Sequence, residues 1–95
     1  MATPKPVPSL LFAIGSESRL KILLSLGRAG VDMSVYRICR ATGLNRRSLS
    51  YHLKILLENR LVEKKIYGEV SLYTVNKSNP DALALIDFFS KVKLW

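Results

Sequence analysis

The chain is 95 residues long, which suits one small domain, residues 1–95, with a modest core. Apolar residues make up 48% and charged residues 23%, a balance that excludes a disordered chain. The net charge of +8 predicts a polyanionic partner, with nucleic acid as the first candidate and a membrane surface as the second. Charge that serves only solubility is the alternative. The single cysteine, Cys39, excludes an internal disulfide and fits a reducing cytoplasm.

The first thirty residues predict a flexible arm and two helices. Residues 1–8 are rich in proline and should form a flexible arm. Residues 9–14 can form a short helix, which Gly15 breaks, and Ser16 can cap a second helix that ends at Gly27 and Gly30. The apolar run within the first helix is too short to span a membrane, so we expect no membrane association.

The middle of the chain predicts two helices joined by a tight turn. Ser34 can cap the helix "VYRICRAT", and Gly43 suits the left-handed residue that ends it. Asn45 can cap the next helix, residues 46–59. The buried stripe of that helix consists of Leu49, Leu53, Leu56 and Leu57.

The apolar period then changes from helical to alternating. The runs "LVEKKIY" and "VSLYTVN", separated by Gly68 and Glu69, predict a β-hairpin. Asn79, Pro80 and Asp81 are typical of the start of a closing helix over residues 79–95. The predicted order is therefore α-α-α-α-β-β-α, a mostly α fold with a small β-hairpin (α+β).

The positive charge is concentrated in this middle part. Residues 37–77 contain nine lysines and arginines against three glutamates, a net of +6. Two short helices around a glycine turn, followed by a basic hairpin, are the pattern of a winged helix-turn-helix. In a motif of this kind, we expect the polyanionic partner to bind beside the second helix and the hairpin.

The same segments resemble a known family. The stretches "SESRLKILLSL", "YRICRATGLNRRSLSYHLKILLENRLVEKK" and "YGEVSLYTVN" are similar to the winged helix-turn-helix transcription regulators of the ArsR type. The resemblance covers residues 16–76. It implies a DNA-binding regulator in which the second helix of the motif, residues 46–59, is the recognition helix.

Helical stepping from the leucine stripe predicts which side chains face DNA. The base-reading candidates are Arg46, Arg47, Ser50 and Tyr51, because arginine presents a two-pronged donor to guanine and the front of such a helix enters the major groove. The backbone-contacting candidates are Arg37, Arg40, Asn45, Ser48, Lys54, Lys64, Lys65 and Tyr67. A solvated basic face on an ordinary core helix is the alternative.

His52 and Cys39 are the residues that could suggest a metal or redox site. His52 is the only histidine, and no partner stands at ligand spacing, so a structural or DNA-backbone role is favoured. Metal sensors of the resembled family use paired thiolates or a histidine with acidic residues on the last helix, and this chain has neither. We therefore expect no metal-sensing site and no cofactor, and keep an intermolecular disulfide at Cys39 as a minor alternative.

The last helix carries more apolar side chains than one domain can easily bury. This surplus predicts a homodimer formed by the first and last helices, with a monomer whose C-terminal aromatics cover its own core as the alternative. The predicted interface residues are Leu10, Leu11, Leu85, Phe88, Phe89, Val92 and Trp95.

These patterns together predict a cytoplasmic, homodimeric repressor that binds double-stranded DNA in a sequence-specific manner. The alternative is an architectural or protein-interaction module with little sequence preference. The sequence has no paired carboxylates, no nucleophile with a base and no glycine-rich phosphate loop, so we do not expect an enzyme. The absence of glutamine adds the expectation of a heat-adapted source.

Overall fold

The computed structural model describes residues 9–94, with five helices and three strands in that range. The predicted arm and Trp95 lie outside the described residues. The elements are α1 (Ser9–Ile14), α2 (Glu17–Ala29), β1 (Met33–Ser34), α3 (Val35–Thr42), α4 (Arg46–Glu58), β2 (Val62–Tyr67), β3 (Val70–Val75) and α5 (Pro80–Lys91). The predicted mostly helical fold with a β-hairpin is confirmed.

Four predicted caps start the helices where the sequence placed them. The side chains of Ser16, Ser34, Asn45 and Asn79 each accept a hydrogen bond from a backbone amide in the first turn that follows. These bonds satisfy amides that have no partner within the helix. The end of α2 differs from the prediction, because Gly27 lies inside the helix. The chain leaves the helix only where Gly30 adopts a left-handed conformation with φ of 66°.

The sheet has one strand more than predicted. β2 and β3 form the expected antiparallel hairpin, and Tyr67 pairs with Val70 beside the turn. The additional strand β1 pairs Met33 with Tyr73 and Ser34 with Leu72, so the strand order is β1-β3-β2. β1 joins the chain entering α3 to the hairpin, and this pairing fixes the helix-turn-helix against the wing.

The core lies between α2, α4 and the base of the hairpin. α2 contributes Ile22, Leu23 and Leu26, which have almost no exposed surface. The predicted stripe of α4 is buried at Leu49, Leu53 and Leu56, with Leu57 half-buried and Ile55 added to the core. The remaining buried apolar side chains come from the rest of the described chain: Ala13, Met33, Ile38, Leu61, Val62, Tyr73, Val75, Ala82 and Phe89.

The rear end of α4 is held by a polar clamp. Arg60 follows the helix with a left-handed φ of 58°, and its carbonyl oxygen accepts hydrogen bonds from Asn76 Nδ2 at 3.0 Å and Asn79 Nδ2 at 2.9 Å. Asn76 follows β3 and Asn79 caps α5. The clamp therefore ties the end of α4 to both the β-hairpin and α5.

Candidate nucleic-acid interface

The turn between α3 and α4 is built by local hydrogen bonds. Gly43 ends α3 with φ of 77°, a conformation that residues with a Cβ seldom adopt. Thr42 Oγ1 donates to the carbonyl of Ile38 at 2.7 Å and accepts from the amide of Leu44 at 3.3 Å. Asn45 Oδ1 then accepts from the amide of Ser48 at 2.8 Å. This geometry fixes the point at which α4 begins.

The front of α4 presents cations and hydrogen-bond donors to solvent. Arg46, Arg47, Ser50 and Tyr51 are all exposed, Tyr51 at 58%. The amides of Arg46 and Arg47 precede the first intrahelical bond and point out of the helix end, where the helix dipole favours an anion. The four predicted base-reading residues therefore share one accessible, positively charged surface.

A groove lies between α4 and the hairpin. It has a volume of about 280 Å³, and Ser50, Lys54, Glu58 and Lys64 line its polar side. The apolar floor includes Leu53 and Tyr73 from the core. Two lysines from different elements therefore face one groove beside the reading surface together with one glutamate, so its charged side chains carry a net positive charge that favours a phosphate backbone.

One lysine of the wing is already engaged in an ion pair within the protein. Lys65 Nζ lies 3.5 Å from Asp32 Oδ1, in an ion pair that joins β2 to the segment before β1. Tyr67 and Ile66 are exposed near the turn, Ile66 at 67%, and Gly68 forms the turn with φ of 62°. The wing tip thus exposes apolar side chains beside the charged Glu69 of the turn, and the predicted contact of Lys65 with phosphate competes with Asp32.

The remaining backbone-contacting candidates occupy the flanks of the motif. Arg37 and Arg40 are exposed on α3, and Arg40 Nη1 donates to the hydroxyl of Tyr36 at 3.0 Å. Asn45 is exposed and Ser48 is half-buried at the front of α4. The motif brings these side chains to the helix-turn-helix surface, while Lys64, Lys65 and Tyr67 belong to the wing.

Sequence reasoning missed Arg19, which is 6% exposed. Its guanidinium donates to the carbonyl of Phe12 through Nη2 and to that of Ala13 through Nε, both at 2.8 Å. Nη1 lies 3.0 Å from His52 Nδ1 on α4. The sequence does indicate that Arg19 is buried. It precedes Ile22, Leu23 and Leu26 by three, four and seven residues, so it lies on the buried stripe of α2.

Apolar side chains of α1 and α5 are also exposed. Leu11 and Phe12 on α1 are more than half exposed, and so is Phe88 on α5 at 54%, with Val92 and Leu83 close behind. The predicted interface set needs one correction, because Phe89 is 3% exposed and packs in the core of its own protomer. Leu10 and Leu85 are half-buried against that core.

The family follows from a direct match. The sequence profile described as "Bacterial regulatory protein, arsR family" matches residues 16–64, from the cap of α2 into β2. The chain belongs to the ArsR family. The family is one of DNA-binding transcription regulators, so this ArsR-family protein is a DNA-binding regulator and not an enzyme.

Solved structures share the fold over most of the chain. HlyU from Vibrio cholerae is 26% identical with a TM-score of 0.79, and the similarity covers 92% of this chain and 90% of HlyU. A predicted DNA-binding transcriptional regulator from E. coli is 28% identical (TM-score 0.75, 88% and 85% covered). A homodimeric winged helix-turn-helix DNA-binding domain from Mycobacterium bovis is 26% identical (TM-score 0.69, 98% and 90% covered). A search of curated protein sequences found no significant match.

Three findings on the described residues of this ArsR-family protein concern metal binding, the free thiol and membrane spans. Within residues 9–94, no three histidine, cysteine, aspartate or glutamate side chains come together in an arrangement that could hold a metal ion. Cys39 is a half-buried free thiol on α3. None of the helices in that range is both long and apolar enough to cross a membrane.

Proposed function

We propose that this ArsR-family protein is a homodimeric repressor that reads a specific sequence of double-stranded DNA. The observation that carries the proposal is the front of α4, where Arg46, Arg47, Ser50 and Tyr51 are exposed beside a groove containing Lys54 and Lys64. Arginine and hydroxyl side chains at the start of a recognition helix reach base edges in the major groove. The lysines of the groove contact phosphates, which supplies affinity and salt dependence.

The dimer is proposed from the exposed apolar side chains of α1 and α5. Leu11, Phe88 and Val92 stand on the surface of the described protomer, and a second copy would remove them from water. We infer that Leu10 and Leu85 border this contact. The homodimeric state of the M. bovis relative supports the proposal. Two-fold symmetry would place the two α4 helices in successive major grooves, about one helical turn apart.

Repression follows from binding alone, because a dimer seated on a promoter blocks access to it. We place the protein in the cytoplasm, as expected of a DNA-binding regulator of this family. The test begins with selection of duplexes by the full chain from a random pool. The selected and random duplexes are then compared at the same salt concentration.

A sequence-specific regulator should prefer the selected, two-fold symmetric site by at least about a thousandfold. A ratio near one would replace the proposal with the architectural alternative. In vitro transcription from a promoter that contains the selected site then tests repression. Unchanged or increased transcript would reject it.

A further inference from the structure

We propose that Arg19 and His52 are positioning residues for DNA reading, and that a second proton on His52 releases α4 from the position they set. The proposal rests on the proposed role of α4 and adds a determinant of its orientation. Neither side chain belongs to the reading surface. Each would act through the position of the residues that do.

The geometry of the guanidinium fixes the hydrogen-bonding state of His52. Arg19 can only donate, so Nδ1, 3.0 Å from Nη1, must offer its lone pair. The imidazole is therefore neutral and carries its proton on Nε2. Two further donors of Arg19, one on Nη2 and the one on Nε, bind the carbonyls of Phe12 and Ala13 at 2.8 Å. One rigid, planar group thus joins the C-terminal end of α1, the start of α2 and the middle of α4.

His52 is well placed to transmit this constraint to the reading surface. It follows Tyr51 and lies one turn beyond Ser48, near the exposed start of α4. Its ring packs edge-on against Tyr51, with ring centroids 5.0 Å apart. A shift of the imidazole therefore rotates or tilts the turn that carries Ser50 and Tyr51. On the other side, Phe12 stacks on the same guanidinium at 4.8 Å, so α1 is held by the same contact.

Protonation of Nδ1 would remove the acceptor and set two cations against each other. The titratable groups facing the imidazole are Arg19 from α2 and Tyr51 from its own helix, whereas α1 has no ionisable side chain. Burial, and then the charge of Arg19, lower the pKa of His52 below its ordinary value of 6.5. The folded state therefore binds fewer protons than the unfolded state. The stability that this arrangement contributes is complete above pH 6.5 and is lost as the pH falls through the lowered pKa.

The direction in which DNA affinity changes with pH distinguishes a positioning role of His52 from a purely electrostatic one. A new cation near the DNA face should strengthen binding to any duplex as the pH falls. If α4 is released instead, the affinity for the selected site should fall as the pH falls, because contacts with bases need a fixed helix. The ratio of the affinity for the selected duplex to that for a random duplex should therefore fall.

The experiment measures both affinities with the full chain at constant ionic strength, at pH 8 and at a lower pH at which nitrogen NMR shows the imidazole of His52 doubly protonated, with circular dichroism at each pH to verify folding. For the wild type we expect the ratio to fall about tenfold at the lower pH, within the usual range for coupled sites. His52→Gln keeps an acceptor but cannot be protonated, so its ratio should be high at pH 8 and should not change with pH.

Arg19→Lys should have a low ratio at both pH values, since one ammonium cannot make all three bonds. The matched control Arg28→Lys, an exposed position on α2, should behave like the wild type. If Arg19→Lys does not fold, His52→Gln still decides. A wild-type ratio near one at pH 8 would overturn the proposed function and the positioning role with it. A ratio that is high at pH 8 and unchanged at the lower pH, where the imidazole is doubly protonated, would overturn the positioning role alone.

Nitrogen NMR provides a readout that needs no DNA, and the chain contains a single histidine, so the spectrum contains a single imidazole. We expect a neutral ring protonated at Nε2 at pH 8, which becomes doubly protonated only below pH 6.5. A proton on Nδ1 at pH 8 would contradict the hydrogen bond from Arg19 and overturn the proposal.

Discussion

Substitutions at Asn45 should separate the stability of α4 from its binding to DNA. Asn45 Oδ1 caps the helix through the amide of Ser48 at 2.8 Å, and the side chain is also exposed at the front of the reading surface. Asn45→Ala removes the cap and should cost about 1 kcal/mol of unfolding free energy. For a domain of this size, that lowers the melting temperature by about 4–8 °C.

Asn45→Asp should preserve the stability of the protein and weaken its binding to DNA. The carboxylate keeps the acceptor, and a negative charge at a helix N-terminus contributes about 0.3–1 kcal/mol, so the melting temperature should stay the same or rise. A phosphate at about 4 Å would repel this carboxylate by about 1 kcal/mol in water, which is about fivefold in affinity for each protomer. A dimer that binds through both protomers should lose about 25-fold.

The two variants are compared by thermal unfolding and by titration of the selected duplex well below both melting temperatures. Asn45→Ala should bind within about threefold of the wild type despite its lower stability. Wild-type affinity of Asn45→Asp would show that Asn45 does not face a phosphate. Unfolding of Asn45→Ala at the wild-type temperature would show that the observed cap does not stabilise α4.

Five further substitutions, one of them a control, test the wing, the reading surface and the dimer. Arg47→Ala should lose about 1–3 kcal/mol at particular bases, whereas Lys65→Ala should weaken all duplexes equally and flatten the salt dependence; sequence-blind losses from both would refute this division. Asp32→Asn should release Lys65 and strengthen binding to any duplex about two- to fivefold, and Asp87→Asn, which breaks the ion pair with Lys91 at 3.1 Å, should change it less. Phe88→Asp should give a folded monomer by analytical ultracentrifugation, and a persistent dimer would exclude this face.

The features that sequence reasoning predicted depend on neighbours within one helical turn. Ser34 and Asn45 cap because each reaches the amide three residues ahead, and Gly43 ends α3 because its own φ allows it. The same local reasoning failed at Gly27. The penalty for a glycine inside a helix is only about 1 kcal/mol, and the adjacent Leu26, fully buried, favours continuation of the helix through it.

The features that it missed depend on partners far along the chain. β1 has two residues, too few to show an alternating pattern, and its partner residues in β3 lie about forty positions later. Arg19 lies on an apolar stripe, yet nothing in its neighbourhood identifies His52, 33 residues away, as its partner. Lys65 and its partner Asp32 are likewise 33 positions apart in the sequence. Long-range polar pairs are set by the packed fold, so a single sequence cannot reveal them.

These long-range contacts explain why α4 can combine a fixed position with a free front end. The clamp on the Arg60 carbonyl holds the rear of the helix, and Arg19 holds its middle through His52. The first turn is stabilised mainly by its own cap, so Arg46 and Arg47 remain in solvent. Substitutions at the clamp should therefore change stability first, substitutions at the first turn should change DNA binding first, and the Arg19–His52 pair should affect both.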